Sequence, residues 1–246
     1  MSSFKKSRDS VKEYFKWRLE RNQVVVDKID KILKIKGQNI LEVGCGYGPL
    51  LKLLANKGAR VVGTEVDSQS LKIARKLLPK TKKITLLQVD GESLPFKNMC
   101  FDSVILFDVI EHVKNPQLMV KECKRVLKKN GLLYVEFTPY YSPIGHHLYD
   151  YAKLPIHLLP VRVIKKIVFS RKLNNISTSQ EYWNQFISLN KLRIGVFQKL
   201  VSDMLKIDER FVIKYPDLFE VNLPFLNYFG FFKDFFTFSF EGIYLK

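Results

Sequence analysis

The sequence predicts an α/β fold built on a mostly parallel sheet with helices on both faces. Three observations carry this. Residues 39–50, NILEVGCGYGPL, read as a strand, a glycine turn and a helix: Ile40, Leu41 and Val43 are apolar, glycines stand at 44, 46 and 48, and Leu50, Leu51, Leu53 and Leu54 begin a helical pattern. Between 39 and 138 short apolar runs alternate with amphipathic helical stretches, the signature of β-α units. The run Val104, Ile105, Leu106, Phe107 is apolar without alternation, as in a parallel strand covered on both sides.

The elements follow in order. Residues 8–36 read as helix, with a cluster of Tyr14, Phe15, Trp17 and Leu19 and a stripe of Val25, Ile29, Ile32 and Leu33. The first strand and its helix end at Gly58, and RVVGTE is a second strand reaching Glu65. Asp67 or Ser68 then caps the helix SQSLKIARKLL, which Pro79 stops. ITLLQVD is a third strand ending at Asp90, and residues 91–101 are too short for a regular crossover helix. After the fourth strand, NPQLMVKECKRVLKKNG reads as a helix with Pro116 in its first turn, Lys128 and Lys129 in its last and Gly131 beyond it; LLYVEFTP is a fifth strand. Residues 139–187 do not alternate and are rich in aromatics, His and Pro, so they read as an insertion. SLNKLRIGVFQKLVSDML is a sheet-covering helix, ERFVIKY a sixth strand, residues 216–235 a second insertion and FTFSFEGIYL the last strand, with Phe236, Phe238 and Phe240 facing the core.

The glycine loop carries the chemistry. Glycine lets backbone approach a ligand closely. The spacing is G-x-G-x-G rather than the dinucleotide G-x-G-x-x-G, and Glu42 stands two residues before Gly44. A carboxylate there repels a pyrophosphate and suits a cationic ligand. Glu65, at the end of the second strand, is placed to accept from ribose hydroxyls. Asp90, followed by GESLPF, offers an acceptor to an exocyclic amine, with backbone at Gly91 and Glu92 for the rest of a ring.

On these motifs the sequence resembles the class I S-adenosylmethionine-dependent methyltransferases, especially the type 11 small-molecule branch that includes ubiquinone and menaquinone methyltransferases. The resemblance covers residues 37–138 specifically and extends weakly to the end. It implies a Rossmann-like seven-stranded sheet whose last strand runs antiparallel between strands five and six, with helical insertions after strands five and six. It implies S-adenosyl-L-methionine as cofactor, held at Glu42, Gly44, Cys45, Gly46, Gly48, Glu65, Val66, Asp90, Gly91, Glu92 and Phe107, the last by its backbone near the methionine end. One domain is expected over 1–246: an N-terminal helical cap at 1–36, a cofactor-binding half at 37–138, an acceptor-site insertion at 139–187, and a C-terminal part of the sheet at 188–246.

Asp108, Glu111 and His112 are spaced like the E-x-x-E-H of the ubiquinone O-methyltransferase branch, where the acidic residues are tied to a metal. Asp at the first position shortens the reach by one methylene. The loop therefore reads as one that caps the next helix and orients His112, and no metal is expected. Three of the four histidines, His146, His147 and His157, fall in the first insertion with Tyr140, Tyr141 and Tyr149. His146, His147 and His112 are the candidates for general-base work.

The net charge of +17 invites a nucleic-acid reading. Its distribution opposes it: the basic excess is +6, +6 and +5 over residues 1–36, 37–138 and 139–246, with 31 Lys against 10 Arg, so no basic arm or tail exists. Motifs of the Asn/Asp-Pro-Pro-Tyr type are absent after strand four. The expected acceptor is a small, apolar or lipid-like molecule. The alternatives are a nucleic-acid methyltransferase and a non-catalytic cofactor-binding module. Three scattered cysteines and a start, MSSFKKSRDS, without an apolar core predict a cytoplasmic protein. Residues 161–169, VRVIKKIVF, form a basic amphipathic segment suited to packing on the domain or to peripheral membrane contact.

Overall fold

Strand β1 (Asn39–Val43) is buried on both faces: Ile40 enters one apolar cluster, and Leu41 and Val43 enter another across the sheet. That double burial fixes its central position. The computed structural model describes residues 10–148, 151–152, 155–170, 178–215 and 219–246. Around β1 lie β2 (Arg60–Glu65), β3 (Ile84–Gln88), β4 (Phe101–Phe107) and β5 (Leu127–Phe137), all parallel. Then come β6 (Leu205–Tyr215), β7 (Phe219–Asn222) and β8 (Ser239–Leu245), in the sheet order β3-β2-β1-β4-β5-β8-β6-β7. β8 runs antiparallel between β5 and β6, as expected of the last strand.

The sheet has eight strands rather than seven. β7 pairs antiparallel with β6 at the edge, inside a stretch read from sequence as pure insertion. Four residues are too few for alternation to identify a strand.

The helices are α1 (Val11–Ile32), α2 (Pro49–Asn56), α3 (Ser68–Leu77), α4 (Pro116–Val126), α5 (Val161–Ser170), α6 (Ser179–Ser188), α7 (Ile194–Leu200) and α8 (Lys233–Phe236). Asp67 caps α3, accepting from the N–H groups of Gln69 and Ser70 at 3.2 and 2.8 Å. α1 keeps Val25 and Ile29 in the core but leaves Ile32 exposed.

Several boundaries differ from the sequence reading. β3 ends at Gln88, two residues short of Asp90. α4 stops at Val126, and Lys128, Lys129 and Gly131 belong to β5. Asn130, with φ of 61°, makes an irregularity there that a helical reading of VLKKNG misses. The single helix expected over 188–205 is instead the end of α6, a bend and the seven-residue α7. Lys191 sits at φ 60°, and Asn190 turns inward to donate to the carbonyls of Ile110 and Val113 at 2.7 and 2.8 Å. Of the three alternating phenylalanines only Phe240 is in the core. Phe236 is exposed on α8 and Phe238 is half-buried, because residues 233–236 coil around buried Asp234, which accepts from Ile194 N–H at the start of α7.

Candidate active site

The glycine loop leaves β1 at the carboxyl edge of the sheet, where open α/β folds bind ligands. Gly44, Gly46 and Gly48 take φ of 74°, 51° and 79°, which L side chains rarely adopt. A side chain at Gly44 would strike Val109 at 2.4 Å, whereas nothing lies within 4 Å of one at Gly46. The loop is therefore packed from behind and open in front. Gly44 N–H and Cys45 N–H both donate to Thr64 O, at 2.8 and 2.9 Å. Cys45 O accepts from Gly48 N–H, and its thiol is buried, which pushes its pKa up. Cys45 thus holds the loop's shape and has its backbone groups already engaged.

Glu65 accepts from Gly46 N–H and Asp67 N–H, each at 3.0 Å. This ties the second strand end to the loop and aims the carboxylate along it. Val66 beside it is 66% exposed, a bare apolar surface at the strand end. Asp90 is exposed and accepts from Glu92 N–H at 2.9 Å. The Glu92 carboxylate accepts from Asn115 N–H at the start of α4, leaving its backbone for any ring contact. Gly91 has no room for a side chain: one would meet Met119 at 2.4 Å and Val43 at 2.6 Å.

Beneath the loop Glu42 is buried, and its Oε2 has no hydrogen-bond partner. Burial pushes its carboxyl up to about 8, with Glu65 adding and Arg18 opposing. A buried carboxylate oxygen left unpaired is costly unless a donor arrives.

The N-terminal helix covers this edge. Tyr14 meets Tyr47 of the loop edge-on at 5.8 Å. Arg18 lies over the Phe107 ring at 4.7 Å and donates to Asp108 at 2.8 Å. Burial works against the Asp108 charge, yet Arg18, with Arg21 and His147, holds its carboxyl below the usual range. Sequence reasoning marked Tyr14, Phe15 and Trp17 and missed Arg18, whose partner is 90 residues away. Arg18→Ala is expected to cost about 2 kcal/mol in urea denaturation, since it removes a charged hydrogen bond and leaves Asp108 without its cation. An unchanged midpoint would mean that α1 is held by its apolar stripe alone.

Past Phe107 the chain turns through Asp108, at φ 53°, into a 3-10 turn at Ile110–His112. Glu111 is buried: burial, then Asp108, drives its carboxyl pKa well up. His112 Nδ1 lies 3.1 Å from Ser188 Oγ, and burial lowers its pKa. The first insertion brings His147 here, its ring edge-on to His112 at 4.9 Å and its Nε2 3.9 Å from Glu111 Oε1. Asn190 fastens the turn from the other side of the insertion.

The structure thus groups His112 and His147 and separates His146. His146 is fully buried, stacks on His157 at 5.5 Å and accepts from Leu148 N–H at 2.9 Å, so it props the insertion from within. Tyr149 lies outside the described residues. The Asp108-Glu111-His112 triplet is also not what assembles. Asp108 is taken by Arg18, and ligand atoms of Glu111, His112 and His147 come within 4.8 Å of one another. One carboxylate and two imidazoles form a set that a divalent ion accepts.

A glycine loop with acids at three successive strand ends, on this strand order, is the arrangement that the sequence resemblance implies. Residues 41–135 match the family model described as "Methyltransferase domain". The ubiquinone biosynthesis O-methyltransferase of Paracidovorax citrulli (strain AAC00-1) is 34% identical over 118 residues, covering 47% of this chain and 50% of that protein. The chain spans about half the length of the curated relatives it matches. A protein of Pyrococcus horikoshii OT3 superposes with a TM-score of 0.63 at 21% identity, over 96% of this chain and 92% of that one. The magnesium protoporphyrin IX methyltransferase of Synechocystis PCC 6803, with bound SAH, does so with a TM-score of 0.59 at 16% identity, over 93% and 83%. Residues 41–135 thus carry the likeness to a methyltransferase domain, and the fold as a whole is that of the structures it superposes on.

Proposed function

We propose that this protein transfers a methyl group from S-adenosyl-L-methionine to a small, apolar or lipid-like acceptor. The observation that carries the cofactor is Glu42: a buried carboxylate with an unpaired oxygen, under a glycine loop that is open in front, calls for a cationic ligand. Glu65, Val66 and Asp90 continue the site toward the ribose and adenine, and residues 37–138 form the cofactor half. Residues 139–187 and 188–246 complete the single domain on the acceptor side. There, Tyr140 and Tyr141 pack edge-on at 5.2 Å, and Tyr141 reaches Phe235 of the second insertion at 5.8 Å. The O-methylation named for the curated relative supports an oxygen acceptor.

The reaction is an in-line displacement. The acceptor oxygen attacks the methyl carbon, the carbon–sulfur bond breaks, and its electron pair leaves on sulfur. The protein's main task is to hold the two reactants at about 3 Å and keep water out. His147 takes the hydroxyl proton, with Glu111 and His112 flanking and positioning its ring. A second reading is favoured by the three-ligand group. A divalent ion held by Glu111, His112 and His147 would supply Lewis-acid polarisation of the acceptor hydroxyl. The three cysteines are all free, which fits a reducing cytoplasm; among the described residues no helix is long and apolar enough to cross a membrane.

The test is transfer of labelled methyl into an extract fractionated into organic-soluble, nucleic-acid, protein and small polar pools. Label in the organic phase is expected. Label in nucleic acid would overturn the acceptor, and no label in any pool with cofactor bound would favour a non-catalytic module. Glu65→Ala is expected to weaken cofactor binding by at least about tenfold in calorimetry, because two charge-assisted bonds to ribose are lost. Glu65→Gln, which keeps one acceptor for the loop N–H groups, separates ribose contact from loop support. Unchanged binding in both variants would place the ribose elsewhere.

A further inference from the structure

We propose that the two insertions together form a docking face for an anionic lipid bilayer. The first insertion exposes Leu158, Leu159, Val161, Val163 and Phe169. Helix α5 buries Ile164 and Val168 against the domain, so its outward side presents Arg162, Lys165 and Lys166 between Val163 and Phe169. The second insertion exposes Phe225, Tyr228 and Phe229, and Phe236 is exposed just beyond it, with Tyr228 90% exposed. Large apolar side chains are normally exposed singly; here two short segments hold them in groups.

The segments lie side by side. His157 meets Tyr140 at 5.2 Å, Tyr140 meets Tyr141 at 5.2 Å, and Tyr141 meets Phe235 at 5.8 Å. This aromatic chain runs from the turn bearing Leu158 to the helix bearing Phe236.

Charge selects the occupant. Residues 155–170 contain no Asp or Glu. In residues 221–236 the one acid, Asp234, is buried against Arg193 and Ile194 N–H. Within these two segments the described residues offer cations and apolar side chains with no exposed carboxylate. A bilayer interface takes both, since lysine and arginine reach phosphates while the apolar groups enter the acyl boundary. A nucleic acid would leave the exposed phenylalanines unused, and a second copy would place like charges together.

This inference extends the lipid-like acceptor of the proposed function. It is measured without cofactor or turnover, so its failure and the failure of that reading are separate results. The experiment is flotation of the full chain with phosphatidylcholine vesicles, with and without phosphatidylglycerol. The expected result is binding only to the phosphatidylglycerol vesicles, weakened by salt. Arg162→Ala with Lys166→Ala should lower the partition coefficient about thirtyfold. Tyr228→Ser with Phe229→Ser should lower it while leaving the salt dependence in place. All four side chains are exposed, and the thermal transition of each variant checks its fold; the two pairs test the face independently. No binding to phosphatidylglycerol vesicles, or binding unchanged in both variants, would overturn the proposal. So would a dimer in sedimentation velocity that the same substitutions dissolve, since the face would then belong to a second copy.

Discussion

His147→Ala is expected to lower kcat about a hundredfold to ten-thousandfold, with cofactor affinity unchanged. The expectation follows from where the insertion delivers this ring. His147 stands at φ 54°, a backbone conformation that costs a non-glycine residue energy and persists only where the surroundings impose it. Its Nε2 is 3.9 Å from the Glu111 carboxyl, whose pKa burial raises, and its ring abuts His112. A base needs its ring held in place, and Glu111 and His112 are the groups that flank this one. Glu111→Gln should therefore lower kcat as well and move the pH at which the rate rises, while leaving KM for the cofactor alone. His146→Ala supplies the contrast: a buried prop should affect stability more than the catalytic step. If His146→Ala and His147→Ala reduce kcat equally, with equal losses of stability, His147 is structural.

The metal reading gives a separate outcome at the same residues. Chelation should abolish activity and added divalent ion restore it, and ion binding seen by calorimetry should disappear in His147→Ala. Activity that survives exhaustive chelation leaves His147 as the base.

What the sequence revealed and what it hid divide by range. The glycine loop, the Asp67 cap and the acids at or near the ends of β1, β2 and β3 were legible because each depends on a few neighbouring residues: a positive φ, an N-cap oxygen, a strand end. Arg18 and Asn190 were not legible. An arginine on an amphipathic helix reads as solvated surface, and nothing nearby says that a strand exit 90 residues on will meet it. Asn190 likewise reads as an ordinary helix residue until its amide is seen bridging two carbonyls of the 110–113 turn. The histidines show the same limit at shorter range. His146 and His147 are adjacent in sequence and equally titratable, yet the left-handed backbone at 147 sends one ring to Glu111 and leaves the other in the interior. The misreading of Phe236 has the opposite cause: a local alternation was taken at face value, and a buried Asp234, whose partners lie near residue 193, overrode it.

Glu42→Gln is expected to make the protein more stable and less able to bind its cofactor. The carboxyl rises from about 4.5 in the unfolded chain to about 8 in the fold, mainly by burial. Between those values the folded state binds the extra proton, so Glu42's contribution to stability falls as pH rises through this window and is least favourable above about 8. Glutamine carries no such penalty. Above pH 8 the variant should exceed the parent by several kcal/mol, on the order of 4, and the difference should vanish below the ordinary carboxylate range. A cationic ligand reverses the preference, because it favours the ionised carboxylate. Cofactor binding near neutral pH should then release a proton, visible as a dependence of the binding heat on buffer ionisation, and affinity should rise with pH up to about 8. Glu42→Gln should lose both effects along with affinity. Proton uptake on binding, or unchanged affinity in the variant, would mean that this carboxylate faces the core and not the ligand. The expected result makes the buried acid a stored instability that the cofactor relieves, so that the unliganded protein is weakest at the place where binding must occur.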